Sequence, residues 1–119
     1  MSQWLRVVVL SQVAVLLGGS ALWSADVKKG ESLYAAKCAS CHGKDLKGNA
    51  AMTKVFKLDA SALSLVSQSA LAKTDEDLTA VTAKGKGKMP AQEGKLKAEE
   101  IADIIAYVRS VGGGAEKAK

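Results

Sequence analysis

The sequence predicts an all-α domain, and three observations carry that prediction. No stretch alternates apolar and polar residues through a run of β-branched side chains. The segment LKAEEIADIIAYVRSVGGG brings Ile101, Ile104, Ile105, Val108 and Val111 round at steps of three and four, the period of one helix face. The segment TDEDLTAVTAKG opens on Thr74 with acids directly behind it and closes on Gly85, which are the start and stop signals of a helix.

The elements follow in chain order. The N-terminal stretch MSQWLRVVVLSQVAVLLGGSALWSA carries one charge, Arg6, then the apolar run Val7 to Leu17, then small residues. That order predicts a secretory signal peptide over residues 1–25, cut after Ala21 or Ala25. The apolar run falls short of the roughly 20 residues a membrane span needs, so membrane association is expected only if the segment is retained. Loss of the leader removes Arg6 and leaves 16 basic against 12 acidic residues, a charge of +4. A domain over residues 26–112 and a frayed tail over 113–119 are expected. The aromatic content is 4%, so a chain this short gains if something large, flat and apolar sits at its centre.

A first helix is expected from Val27 to about Ser40, with Asp26 as its N-cap. It places Gly30, Tyr34, Cys38 and Cys41 on one face, and an inward glycine implies a second helix crossing close by. Lys44 to Phe56 shows no period and reads as a loop. Ser61 to Lys73 is ambiguous, with a short helix possible after Asp59. In the last helix Glu99 and Glu100 suit the positive end of the helix dipole, and Gly112 is expected to supply the left-handed cap. Lys97 falls at its N-cap, where serine or threonine would be usual, so that start looks poorly capped.

The chemistry concentrates in KCASCHGKD. Cys38 and Cys41 are the two cysteines of the chain, and His42 is its one histidine. A thioredoxin-like pair wants a strand and helix context that is missing here. A zinc site wants four ligands. A disulfide spanning one helical turn would be strained. Covalent haem attachment fits better: two thiols three residues apart can each form a thioether with one vinyl group on a porphyrin edge, and the next residue then lies under the iron. His42 would coordinate through one ring nitrogen and donate from the other to a carbonyl. Gly43 lets the chain turn away.

A second axial ligand must come from elsewhere. Met1 leaves with the leader, and Met52 lacks distinctive flanks and suits core packing. Met89 stands in AKGKGKMPAQEG, with Gly85 and Gly87 before it and Pro90 after it, and its soft thioether is the candidate for the opposite face of the iron. With both faces filled by protein, the iron of one covalent haem c is left with one-electron chemistry, and thioether ligation favours a positive potential.

Taken together, KGESLYAAKCASCHG, GKGKMPA and EEIADIIAYV resemble, in that order, the class I cytochromes c, small secreted bacterial proteins with one haem and His/Met ligation. The likeness implies a cytochrome c fold: an all-α globule around one covalently bound haem, its first and last helices crossing. It also implies that Gly30 and Tyr34 pack on Ile104 and Tyr107. Such proteins commonly have a proline in the loop after CHG whose carbonyl accepts from the proximal histidine. The one proline here is Pro90, so the acceptor is expected among the carbonyls between Lys44 and Met52. The implied function is single-electron shuttling between periplasmic or membrane redox partners by a monomer, not an enzyme, with no nucleic acid involved. Lys84, Lys86 and Lys88 would form a basic rim for acidic partners, continued by Lys95 and Lys97. Two rivals remain open. One is a ligand-binding or peroxidase-like haem protein with a labile Met89. The other is an electron-relay subunit of a dehydrogenase.

Overall fold

The computed structural model describes residues 24–113. The leader, apart from Ser24 and Ala25, and the tail beyond Gly113 lie outside that range. Six helices follow one another: α1 (Val27–Lys37), α2 (Ala39–His42), α3 (Ala50–Phe56), α4 (Gln68–Leu71), α5 (Asp75–Lys84) and α6 (Ala98–Gly112). Among the described residues the extended pairing amounts to isolated bridges, Lys86 with Met89 and Glu93 with Leu96.

α1 starts where its sequence says it should. The Asp26 carboxylate accepts from the Lys29 backbone N–H at 3.1 Å. The Asp26 N–H in turn donates to the buried Asp103 carboxylate of α6 at 2.8 Å, so the two terminal helices are tied at this cap. Four residues on, a Cβ at Gly30 would lie 1.9 Å from the Asp103 carbonyl oxygen. No side chain fits there, and this is the close crossing that an inward glycine implies. Tyr34, 2% exposed, continues the same face and meets Tyr107 with ring centroids 5.4 Å apart and planes tilted by 54°. The implied packing of Gly30 and Tyr34 on the last helix is therefore present.

The expected helix through Ser40 is interrupted. Cys38 takes φ −120° and ψ −35°, which ends α1, and the chain restarts as the single turn of α2 with Cys38 as its N-cap. The core consists of Tyr34, Leu46, Leu96, Ile101, Ile104, Ile105 and Val108. Val111 leaves the expected stripe and is 56% exposed. The last turn of α6 instead buries Arg109, whose Nε donates to Asp75 Oδ1 at 2.9 Å and whose guanidinium also reaches the Lys73 carbonyl. That clamp fixes α6 against the entry to α5.

Two further expectations are corrected. The expected left-handed cap at Gly112 is absent: Gly112 stays helical and packs against Val66, and α6 ends on Gly113 at φ +88° and ψ −167°, a positive-φ conformation outside the left-handed helical region. The supposed loop Lys44 to Phe56 contains α3. Its start is fixed by the Asn49 side chain accepting from the Ala51 N–H at 3.0 Å, and its seven residues are too few to display a period. In the ambiguous stretch, residues 60–63 form a turn, and the helix comes later, at α4. The two other starts behave as follows. Thr74 and Asp77 form a reciprocal capping box at α5. At α6, the Glu100 carboxylate accepts from the Lys97 N–H at 3.0 Å. An ammonium cannot accept in return, so that start gets half of the box.

Candidate functional site

The cysteine–histidine segment is held in place by backbone groups that fold back onto it. The Tyr34 hydroxyl donates to the Gly43 carbonyl at 2.6 Å. The Gly48 N–H donates to the His42 carbonyl at 2.7 Å, and the Asn49 N–H to the Cys41 carbonyl at 2.9 Å. Asn49 Nδ2 adds a bond to the Ser40 carbonyl at 2.9 Å. The turn requires Gly43 at φ +80°, where an added Cβ would come within 2.9 Å of Asp45 Oδ1.

His42 Nδ1 lies 2.8 Å from the carbonyl oxygen of Leu63. A carbonyl only accepts, so Nδ1 carries the proton, and Nε2 of the neutral ring presents its lone pair. The acceptor is thus not among residues 44–52. Those residues are drawn back onto the motif by Gly48 and Asn49. The Leu46 carbonyl accepts from the Leu65 N–H at 2.7 Å, and this bond brings the 63–65 stretch alongside the imidazole. No sequence signal marks a backbone carbonyl 21 residues away.

Met89 is brought by a separate segment to the same cavities that His42 lines. Lys86 and Met89 exchange backbone hydrogen bonds of 3.1 and 2.9 Å around a tight turn with Gly87 at φ +57°. Gly85, also left-handed at φ +74°, lies so close beneath the turn that a Cβ there would be 2.6 Å from the Met89 carbonyl oxygen. The outgoing chain is fastened to the end of α5 by the Gln92 N–H on the Thr82 carbonyl and the Glu93 N–H on the Ala83 carbonyl, both 3.0 Å.

Between these two arms lie two adjoining cavities, and His42 and Met89 line both. The first, about 200 Å³, is walled by Cys38 and Cys41 together with Tyr34, Phe56, Ile104 and Val108. The second, about 490 Å³, is walled by Leu58, Leu63, Leu78, Val81 and several serines and lysines. Both far exceed the roughly 30 Å³ of one water, and their walls are largely apolar. Despite the break at Cys38, both thiols reach the same space. Met52, half-buried on α3, lines neither cavity. Of the three lysines expected at the rim, Lys84, Lys86 and Lys88 are all exposed, and Lys86 and Lys88 border the second cavity.

Burial, reinforced by the neighbouring Cys41, pushes the Cys38 thiol up to about 11, so it keeps its proton. Burial first, then Cys38, Tyr107 and Asp45, push the Tyr34 phenol upward, so it remains a donor to Gly43. A lone-pair nitrogen and a thioether on one space, two thiols on one wall and apolar surfaces elsewhere fit a haem held by two thioethers.

Comparison with known proteins agrees. A family model described as cytochrome C oxidase, cbb3-type, subunit III matches residues 25–108. Cytochrome c6 of Picosynechococcus sp. is 33% identical over 110 residues, 91% of this chain and 92% of that protein. The cbb3-type cytochrome c oxidase subunit FixP of Bradyrhizobium diazoefficiens is 36% identical over 89 residues, 75% of this chain but 29% of FixP's length. Among solved structures, cytochrome c6 of the diatom Phaeodactylum tricornutum matches with a TM-score of 0.56 at 30% identity, covering 75% of this chain and 98% of that one. The chain belongs to the cytochrome c family and is a haem c electron-transfer protein.

Proposed function

We propose that this protein is a freely diffusing one-electron carrier, not an enzyme. In this reading Cys38 and Cys41 would hold the haem through thioethers, and His42 and Met89 would ligate its iron. The observation that carries it is the meeting of two arms on one cavity: an imidazole whose Nδ1 proton is committed to Leu63, and a thioether residue brought in by the Gly85–Met89 turn. Bound haem c supplies the Fe(III)/Fe(II) couple. The chain's own work is to hold still. The Leu63 carbonyl keeps the ring orientation, the Tyr34–Gly43 bond locks the attachment turn, and the apolar walls exclude water. Fixed ligands and a dry surround keep the reorganisation between oxidation states small, and thioether ligation with burial favours the reduced state.

The leader is proposed to direct the chain to the periplasm, cut after Ala21 or Ala25. Among the described residues no helix is long and apolar enough to cross a membrane. Acidic redox partners are proposed to meet the protein, as a monomer, beside Lys84, Lys86 and Lys88. Redox potentiometry with optical spectra tests the ligand assignment. A positive midpoint and the weak long-wavelength band of a methionine sulfur on ferric iron are expected. A strongly negative midpoint, or no such band, would remove Met89 from the iron.

The likeness to FixP and to the cbb3-type family model favours one second reading, a relay module working inside an oxidase assembly. Purification under native conditions separates the two: a carrier runs alone, and a relay module runs with other subunits.

A further inference from the structure

The last turn of α3 and the residues just after it border both cavities. Phe56 lines the first cavity and Leu58 the second. On the outer side Val55 is 69% exposed, and Leu58 is itself 39% exposed. Tunnelling falls steeply with distance, so a residue such as Leu58 that both lines a cavity and meets solvent is a favourable place for an electron to cross.

The same turn holds its charge at a cost in stability. The Leu58 N–H bonds to the Thr53 carbonyl at 2.8 Å and the Lys57 N–H to the Lys54 carbonyl at 3.2 Å, a Schellman ending. Its left-handed position, φ +56° and ψ +48°, is occupied by Lys57, where glycine would be unstrained. Lys57 is exposed, as is Lys54 one turn back. Strained backbone of this kind collects at functional sites. Lys86 and Lys88 border the cavity that Leu58 also lines. One acid, Asp59, lies beside the turn in sequence, whereas Asp75, Glu76, Asp77, Glu99 and Glu100 occupy the first turns of α5 and α6.

We propose that Val55 and Leu58, rimmed by Lys54 and Lys57, are the docking surface for a redox protein that presents an apolar patch ringed by carboxylates. The apolar pair supplies the desolvated centre of the contact, and the lysines supply steering and register. A second copy of this chain would bring the same lysines and be repelled. The inference rests on the electron-carrier reading and extends the contact from the Lys84–Lys88 loop to the end of α3, since Leu58, Lys86 and Lys88 border the same cavity.

The test is stopped-flow transfer of one electron from the ferrous protein to the oxidised copper centre of a soluble oxidase domain with an acidic docking face. Tris(phenanthroline)cobalt(III) serves as a small oxidant that needs no docking surface. Val55→Glu is expected to slow transfer to the copper domain by about tenfold or more while leaving the reaction with the cationic cobalt complex no slower and the midpoint potential unchanged. Lys57→Gly is expected to slow it severalfold although the variant unfolds at higher denaturant concentration, a combination that a merely structural lysine would not give. Copper-domain rates within about twofold of the unmodified protein for both variants would overturn the proposal. So would failure of the unmodified protein to react with the copper domain, or a concentration-dependent dimer that Val55→Glu dissolves. Failure of the carrier reading itself shows separately, as a missing sulfur band in the unmodified protein.

Discussion

Met89 and Tyr34 show how much of the site depends on single side chains. Met89→Ala leaves both thiols and His42 in place. It is expected to keep the covalent haem, measured by intact mass, while losing the long-wavelength band and lowering the midpoint potential. Tyr34 is the brace of the attachment turn. Tyr34→Phe removes its bond to Gly43 and is expected to cost about 1 kcal/mol, or about 4–8 °C in melting temperature. Its pH dependence has a defined sign. The folded-state phenol is raised above its unfolded value of 10.0, so its share of stability is complete below that pH and declines as the unfolded chain ionises above it. Denaturant titrations should therefore show the unmodified protein's advantage over Tyr34→Phe constant near neutrality and shrinking above about pH 10.

Between elements, the decisive contacts are the α1–α6 crossing and the clamp of α6 on α5. A methyl group at Gly30 would lie 1.9 Å from the Asp103 carbonyl oxygen, so Gly30→Ala must push the helices apart. Chemical denaturation should show a loss of about 1–3 kcal/mol, the range for overpacking in a tight core. The clamp is of another kind. Arg109 has a side chain 6% exposed, while its partner Asp75 is 37% exposed. Removing a fully buried partner costs about 3–5 kcal/mol, and the solvent at Asp75 lowers the expectation for Arg109→Ala to about 1–3 kcal/mol. Because α5 also anchors the Met89 arm through Thr82 and Ala83, that variant should weaken the sulfur band at a lower temperature than it unfolds the protein.

For the molecule as a whole, charge is the property that reaches furthest. Acids concentrate in the first turns of α5 and α6, and lysines occupy the Met89 turn and the end of α3. Transfer to an acidic partner should therefore slow as ionic strength rises from about 10 mM to about 150 mM, where the Debye length shrinks from about 30 Å to about 8 Å. Stopped-flow rates indifferent to salt would contradict a steered encounter. The same rates measured with a small neutral oxidant should change little, since no extended surface is then engaged.

Some of this was legible in the residues alone. KCASCHGKD pointed to a haem-attachment segment because thiol spacing and an adjoining histidine are local, chain-encoded geometry. The 3.6-residue stripe of α6, the capping box at Thr74 and the inward Gly30 are likewise short-range signals, and they give the all-α class. The glycines and proline around Met89 marked it as the candidate for the second ligand, since backbone permissiveness is a property of residue type, and Met89 lines both cavities. Other features exist only through contacts distant in sequence. The Leu63 carbonyl partners His42 because Leu46 and Leu65 pair. Cys38 ends α1 where the helical pattern continues. Arg109 is buried because Asp75 and the Lys73 carbonyl, both remote in sequence, take its guanidinium. α3 is too short to show a period, yet its Phe56 lines the first cavity. Periodicity, caps and ligand spacing are written along the chain, whereas hydrogen-bond acceptors on the backbone and the exposure of a given face are decided only when remote segments meet.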